Sequence, residues 1–275
     1  VTTGRLLRQI GFSLLLLATA LFFFGPVLWE GITSITPDAE MVAVRLFPRN
    51  PTLEHYQSIF VGQPFFRIIL NSLVVASMTT LFSLAIGGLA AFALARLHFK
   101  GKRILLGGAL AVSMFPPVAI ISPLYLIVRA LGLRDTGWAL IVTHTTFSLP
   151  LSLWILTRFF EEIPVELYWA AQIDGCTPLQ AFTRIILPLA APGLAAVAIL
   201  VFLFSWGEFL FALTFTTTEA SRTIPVGIAL FPGLHEIPYG DIAAASIVVT
   251  LPVILLVLLF QRRIIAGLTA GAVKG

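Results

Sequence analysis

EEIPVELYWAAQIDGCTPLQAFTRIILPLAAP, Glu161 to Pro192, is a long polar interruption in the second half of a very apolar chain. The architecture turns on it. It reads as two short helices with a bend between them. Pro164 suits the first turn of the first helix, and Glu161 and Glu162 are placed to favour that helix's positive end. Asp174-Gly175 should stop it, because glycine tolerates the left-handed conformation that closes helices. The second helix has a capping-box start, with Thr177 as cap, Pro178 at the first position and Gln180 three residues after the cap. Leu179, Phe182 and Ile186 should then share one face. Pro188 and Pro192 mark where the chain turns back into apolar sequence.

The rest of the composition fixes the surroundings. The chain has 275 residues, 58% apolar and 11% charged, with mean hydropathy +1.00. A soluble protein carries roughly a quarter charged residues. So few charges cannot coat a globule, and the chain reads as an all-α polytopic membrane protein. Cys176 is the one cysteine and has no internal disulfide partner. The net charge of +4 is spread among the loops, as orientation signals are, and is not a nucleic-acid footprint.

Six transmembrane helices are expected, at about 10–31, 68–95, 104–129, 138–160, 189–215 and 242–261. The first continues apolar past Ala18-Thr19-Ala20, which reads as an uncleaved span. Ser83, Gly87, Ala91 and Ala95 make a small-residue stripe on the second, which allows close helix packing. Pro116, Pro117 and Pro123 break or kink the third, and Pro150 kinks the fourth. Residues 32–64 and 216–241 form external loops, 131–137 an external turn, and 262–275 a tail. With the N-terminus inside, eleven of seventeen basic residues fall on the inner side and six outside. That bias puts both termini and the 161–188 loop in the cytoplasm of a cell membrane. The whole chain reads as one membrane domain, 1–275.

A catalytic reading lacks parts. There is no His-Glu-x-x-His metal motif, no Gly-x-Ser-x-Gly elbow and no phosphate-cradling glycine loop with lysine. The chain is therefore not expected to be an enzyme or to bind a cofactor itself. If ATP drives it, another chain binds the nucleotide. Glu208, in FSWGEFLFAL, is an acidic residue deep in a span and should face the bundle interior or a wet cavity. It either lines a path or gate or serves as a structural carboxylate. His144 lies within the fourth span among threonines, either lining a pathway or satisfied inside the bundle. Asn71 and Ser72 open the second span, as caps or as pathway groups. Trp206, Tyr125 and Trp154 are candidate stacking aromatics only by residue type.

The 161–188 loop resembles the cytoplasmic coupling loop of ABC importer permeases. The consensus there is Glu-Ala-Ala, two residues, Asp-Gly, nine residues, Ile-x-Leu-Pro. Ala170, Ala171, Asp174, Gly175, Ile185, Leu187 and Pro188 match it, and Trp169 stands where Glu is expected. Seven of eight positions agree at fixed spacing. The Trp-Gly-Glu-Phe-Leu segment is similar to the Trp-Asn-Glu-Phe-Leu of sugar-type permeases, and the GLTAGAVKG ending is similar to that of maltose-type importers. The chain thus resembles the smaller permease subunit of a binding-protein-dependent carbohydrate importer.

The resemblance implies the type I ABC importer permease fold and alternating access. It implies a second, different permease, two ATP-binding subunits carrying ATP and Mg, an extracytoplasmic solute-binding protein, and contact with membrane lipid but not nucleic acid. The implied substrate is a sugar, a di- or oligosaccharide or glucoside. Alternatives are a glycerol phosphoester or polyamine, or ion-coupled secondary transport, which Glu208 and the broken third span would suit. At Trp169 two expectations stand. An aromatic knob of Trp169, Tyr168 and Val165 docks on the ATPase, or Glu166 supplies the missing carboxylate while Trp169 rests on the membrane interface.

Overall fold

The computed structural model describes the backbone of residues 2–41, 45–61, 64–231 and 237–270, with side chains described between 8 and 261. Among the described residues every regular element is a helix. Two compact units are formed, one by Val1–Phe66 with Ile228–Pro252 and one by Arg67–Gly227 with Val253–Gly275.

In the first unit the apolar run at the N-terminus makes one helix, α1 (Thr2–Thr33), and none of its membrane-length apolar window is buried within the chain. The expected external loop after it contains two short helices, α2 (Asp38–Met41) and α3 (Glu54–Val61), each with an acidic residue in its first turn. They were illegible as helices among the prolines of that segment.

The second unit takes up most of α4 (Phe65–Arg96). The small-residue stripe works as expected. Ser83 and Ala91 are fully covered, and a Cβ added to Gly87 would lie 3.1 Å from the Cβ of Ser152. The third span is broken as its prolines demand. α5 (Lys102–Ser113) and α6 (Pro117–Ala130) meet at 94°, with Pro116 extended between them.

The middle of this unit is α7 (Gly137–Glu162), capped by the Thr136 hydroxyl and carrying twelve buried residues. It packs against α5 and, further along the chain, against α11 (Ala191–Trp206). At that second contact Gly193 is required, because a Cβ there would run into the ring of Phe159. Between α7 and α11 lie α8 (Val165–Ile173), α9 (Pro178–Ala181), a π-helical turn Phe182–Ile186, and α10 (Leu187–Leu189). The chain bends by 81° between Pro178–Leu189 and Ala191–Trp206.

The fifth span differs from expectation. It does not run unbroken from 189 to 215 but stops at Trp206 and resumes as α12 (Leu210–Phe215). Gly207 breaks it, and the cause is taken up with Glu208 below. After α13 (Ile224–Ala229) the last helix is α14 (Tyr239–Ala270), which stays helical through residues 262–270, where a tail was expected. Residues 271–275 of that tail lie outside the described residues. Among the described residues four helices are long and apolar enough to cross a membrane, or up to six if each bent pair is one span.

Candidate functional site

The loop between α7 and α11 is built largely by local chemistry. Pro164 sits at the cap of α8 with extended backbone, so the helix starts at Val165, one residue later than expected. The helix ends in a Schellman closure. The Gly175 amide donates to the Gln172 carbonyl at 3.1 Å and the Cys176 amide to Ala171 at 2.9 Å, with Gly175 left-handed at φ 85°. The capping box forms as its sequence requires. The Gln180 amide donates to Thr177 Oγ1 at 3.3 Å, and the Thr177 amide donates to Gln180 Oε1 at 2.9 Å. Glu161 and Glu162 do not serve α8. They belong to the last turn of α7, where Glu161 pairs with Lys102 Nζ at 2.8 Å and Arg158 at 3.3 Å. The acid in the first turn of α8 is Glu166.

This loop stands on an apolar base. Tyr168, Ala171, Ala181, Phe182 and Ile186 bury themselves against Phe92 of α4 and Leu156 and Phe160 of α7. Phe92 meets Tyr168 edge-on with ring centroids 5.7 Å apart and meets Phe182 at 4.9 Å. Burying side chains of this size stabilises by about 1.5–3 kcal/mol each. Arg96, at the end of α4, donates from Nη2 to the Ile163 carbonyl at 2.6 Å, fixing the chain where it enters the loop. The small helices are therefore fastened to two long helices, α4 and α7.

The motif residues divide by direction. Trp169, Ala170, Asp174, Gly175 and Pro188 are exposed, Ala171 is buried, and Ile185 and Leu187 are half-buried. The outward face of α8 carries Glu166, Leu167, Trp169, Ala170 and Ile173, with Ile173 85% and Trp169 51% exposed. Two expectations are corrected here. Tyr168 is no part of an exposed aromatic knob, because its ring fills the base and is only 6% exposed. Leu179 does not share the buried face of Phe182 and Ile186 but lies outward at 60% exposure, since α9 has a single turn before the π-helical turn redirects the face.

A second cluster lies in the bundle. His144 of α7 is fully buried, with Nδ1 2.7 Å from Ser205 Oγ and Nε2 3.1 Å from Glu208 Oε2. Glu208 also accepts from the amides of Phe211 at 2.9 Å and Ala212 at 3.1 Å. It thus caps α12, satisfying amides that the break at Gly207 leaves free. That is why an acid is tolerated there, and why the fifth span is interrupted. Two residues singled out separately in the sequence, His144 and Glu208, are one polar unit, with Ser205 as a third member that its sequence gave no reason to choose.

Trp206 and Asn71 do not join them. Trp206 is buried and stacks on Phe202 at 5.5 Å. Asn71 does not cap α4, which begins at Phe65. Its Nδ2 donates to the carbonyls of Ala220 and Arg222, both at 2.9 Å. Ser72 accepts the Ile224 amide at 2.8 Å and so caps α13 instead of its own helix. Tyr125 carries the Arg134 guanidinium over its ring at 5.9 Å, and Trp154 is exposed. Among the described residues no group of three His, Cys, Asp or Glu is placed to hold a metal ion.

Apolar helices of membrane-crossing length, two bent helix pairs and a capped two-helix loop are the features of a polytopic membrane protein. The profile of the binding-protein-dependent transport system inner membrane component matches residues 83–267, and the chain belongs to that family. It is 48% identical over 252 residues to the trehalose transport system permease protein SugB of Mycobacterium tuberculosis (strain CDC 1551 / Oshkosh), covering 91% of this chain and 92% of that protein. It is 41% identical over 274 residues to the trehalose/maltose transport system permease protein MalG of Thermococcus litoralis (strain ATCC 51850 / DSM 5473 / JCM 8560 / NS-C), covering 98% and 97%. A chain from the crystal structure of a bacterial ABC transporter involved in import of the acidic polysaccharide alginate matches with a TM-score of 0.82 at 20% identity, over 95% of this chain and 98% of that one. The fold is accordingly that of a type I ABC importer permease.

Proposed function

We propose that this chain is one of two unlike permease subunits of an ATP-driven importer for a di- or oligosaccharide or a glucoside. Two ATPase subunits bind ATP and Mg, and an extracytoplasmic binding protein delivers the sugar. Both termini and the 161–188 loop face the cytoplasm of the cell membrane, and the chain performs no catalysis itself. The sugar assignment is supported by the permeases of trehalose and maltose systems that align along nearly the whole chain. Membership of a binding-protein-dependent family sets aside the ion-coupled carrier.

The observation that carries the mechanism is the apolar base of the loop. The outward face of α8 takes the ATPase, and closure of the ATPases on ATP moves that face. Tyr168 and Phe182 pass the motion to α4 and α7 because they are packed on Phe92 and Phe160. Packed elements respond to such a push as bodies, which is how a soluble motion switches a buried cavity. Uptake of labelled trehalose or maltose by the reconstituted complex tests the reading. It should require ATP and the binding protein and survive collapse of the proton gradient while ATP is held constant. Uptake lost with the gradient, at unchanged ATP, would contradict it.

A further inference from the structure

His55 lies in α3, outside the candidate sites, and is buried. Its Nε2 is 2.9 Å from the Thr36 carbonyl, and its Nδ1 is 2.8 Å from Asp241 Oδ1. A carbonyl accepts and cannot donate. The Asp241 carboxylate also accepts at its other oxygen, from Ser58 Oγ at 2.9 Å. Both ring nitrogens therefore face acceptors, a setting that suits the doubly protonated imidazolium. Asp38 of α2 adds a further carboxylate oxygen at 3.9 Å from Nε2. The head of α14 is shaped around the ring, since a Cβ on Gly240 would overlap it.

The contacts link two pieces of the first unit. Residues 34–36 and 52–58 are already joined to each other, by Ser34 Oγ to Tyr56 OH at 2.8 Å and by the Thr52 amide to the Ile35 carbonyl at 2.9 Å. His55 and Ser58 then tie that piece to Asp241, in the first turn of α14.

We propose that the His55 imidazolium is a pH-sensitive latch fastening residues 34–36 and 52–58 to the head of α14. Burial alone would lower the His55 pKa, but the bonds to Asp241 and Thr36 and the field of Asp38 together raise it. A group with a raised folded pKa contributes its stability fully below the unfolded value and loses it as pH rises through the folded value. The latch is therefore closed below the ordinary histidine value and opens as pH rises through the raised one. The proposed membrane orientation puts it in contact with the external medium, and the test below reads it on whichever side it lies.

Hydrogen exchange of the α3 amides, corrected for intrinsic rate, is followed in the full importer complex in nanodiscs from mildly acidic to mildly alkaline pH. The wild type should lose protection in one step, about tenfold per unit by which folding raises the pKa. His55→Gln should remove the step, and Asp241→Asn should move its midpoint to lower pH. A flat wild-type profile, or the same step in His55→Gln, overturns the latch. The ring itself gives a check that needs no variant to fold. In carbon-13 histidine spectra of the complex, His55 should titrate above the ordinary value of about 6.5, and titration at or below it overturns the proposal.

Discussion

Two loops of the second unit are held in opposite ways. The 161–189 loop closes itself with backbone caps and stands on buried aromatic rings. The 216–224 loop is held by polar side chains reaching in from distant elements. The Asp135 carboxylate accepts from the amides of Thr217 at 2.8 Å and Thr218 at 3.0 Å, from Thr218 Oγ1 at 2.8 Å, and from Ser221 Oγ. Asn71 and Ser72 of α4 take the next residues along. Apolar packing resists displacement whatever the salt or pH, whereas a carboxylate clamp depends on its charge. The first loop suits a part that must transmit force. The second suits one whose hold can be weakened by a single group.

The largest break in the first loop should come from Gly175→Val. A β-branched residue at that left-handed position costs about 1–2 kcal/mol, or about tenfold in the population of the closed turn. Uptake by the assembled importer should fall about tenfold or more, with the permease still inserted in the membrane. Wild-type uptake would mean that the turn is not needed for coupling.

Next in size is the contact surface. Trp169→Ala removes an exposed aromatic anchor and should weaken ATPase association by about 2 kcal/mol, a typical hot-spot value, with little dependence on salt. Glu166→Ala should cost less. A larger, salt-dependent loss from Glu166→Ala would give the anchoring role to the carboxylate, since screening acts on exposed charges.

Asp135→Asn probes the second loop. It removes the charge from a cluster of four bonds and should destabilise the 216–224 segment by about 1–2 kcal/mol, read as faster hydrogen exchange there. The carboxylate also predicts a pH dependence. Burial would raise its pKa, but the bonds from Ser221, Thr218 and Thr217 hold it well below the usual carboxylate range. The stability it contributes is present above the unfolded value of 3.8 and is lost as pH falls through the lower folded value. Exchange of this loop should therefore be flat through neutral pH and rise only in strong acid. The 161–189 loop should show no such rise.

The smallest effect is expected in the bundle. Glu208→Gln retains an oxygen to accept an amide of α12 and a polar contact for His144, so uptake should keep most of its rate. A collapse of uptake would show that the charge itself is needed on the path.

What could be read in advance follows the same division. Gly175, Thr177, Pro178 and Gln180 act on backbone within a few residues, so their roles followed from spacing. The broken third span was legible because Pro116 has no amide to donate. The break at Gly207 was not, because it depends on Glu208 capping Phe211 and Ala212 while holding His144 from another helix. Asn71 and Ser72 were legible as caps only in kind. The loop they hold lies about 150 residues further on, as the Asn71–Arg222 separation of 151 shows. Asp135 had one local sign, an Arg-Asp-Thr-Gly turn, and it adopts φ 62°, a conformation that aspartate tolerates better than most residues.

The central claim is that the outward face of α8 is where the ATPase pushes. A photoreactive amino acid in place of Ile173, which is 85% exposed on that helix, tests it directly in the assembled complex. The account predicts a cross-linked species with the mass of permease plus ATPase subunit, formed in good yield and lost when the ATPase is absent. Adducts to lipid alone, with the ATPase bound and the label reactive, would contradict it.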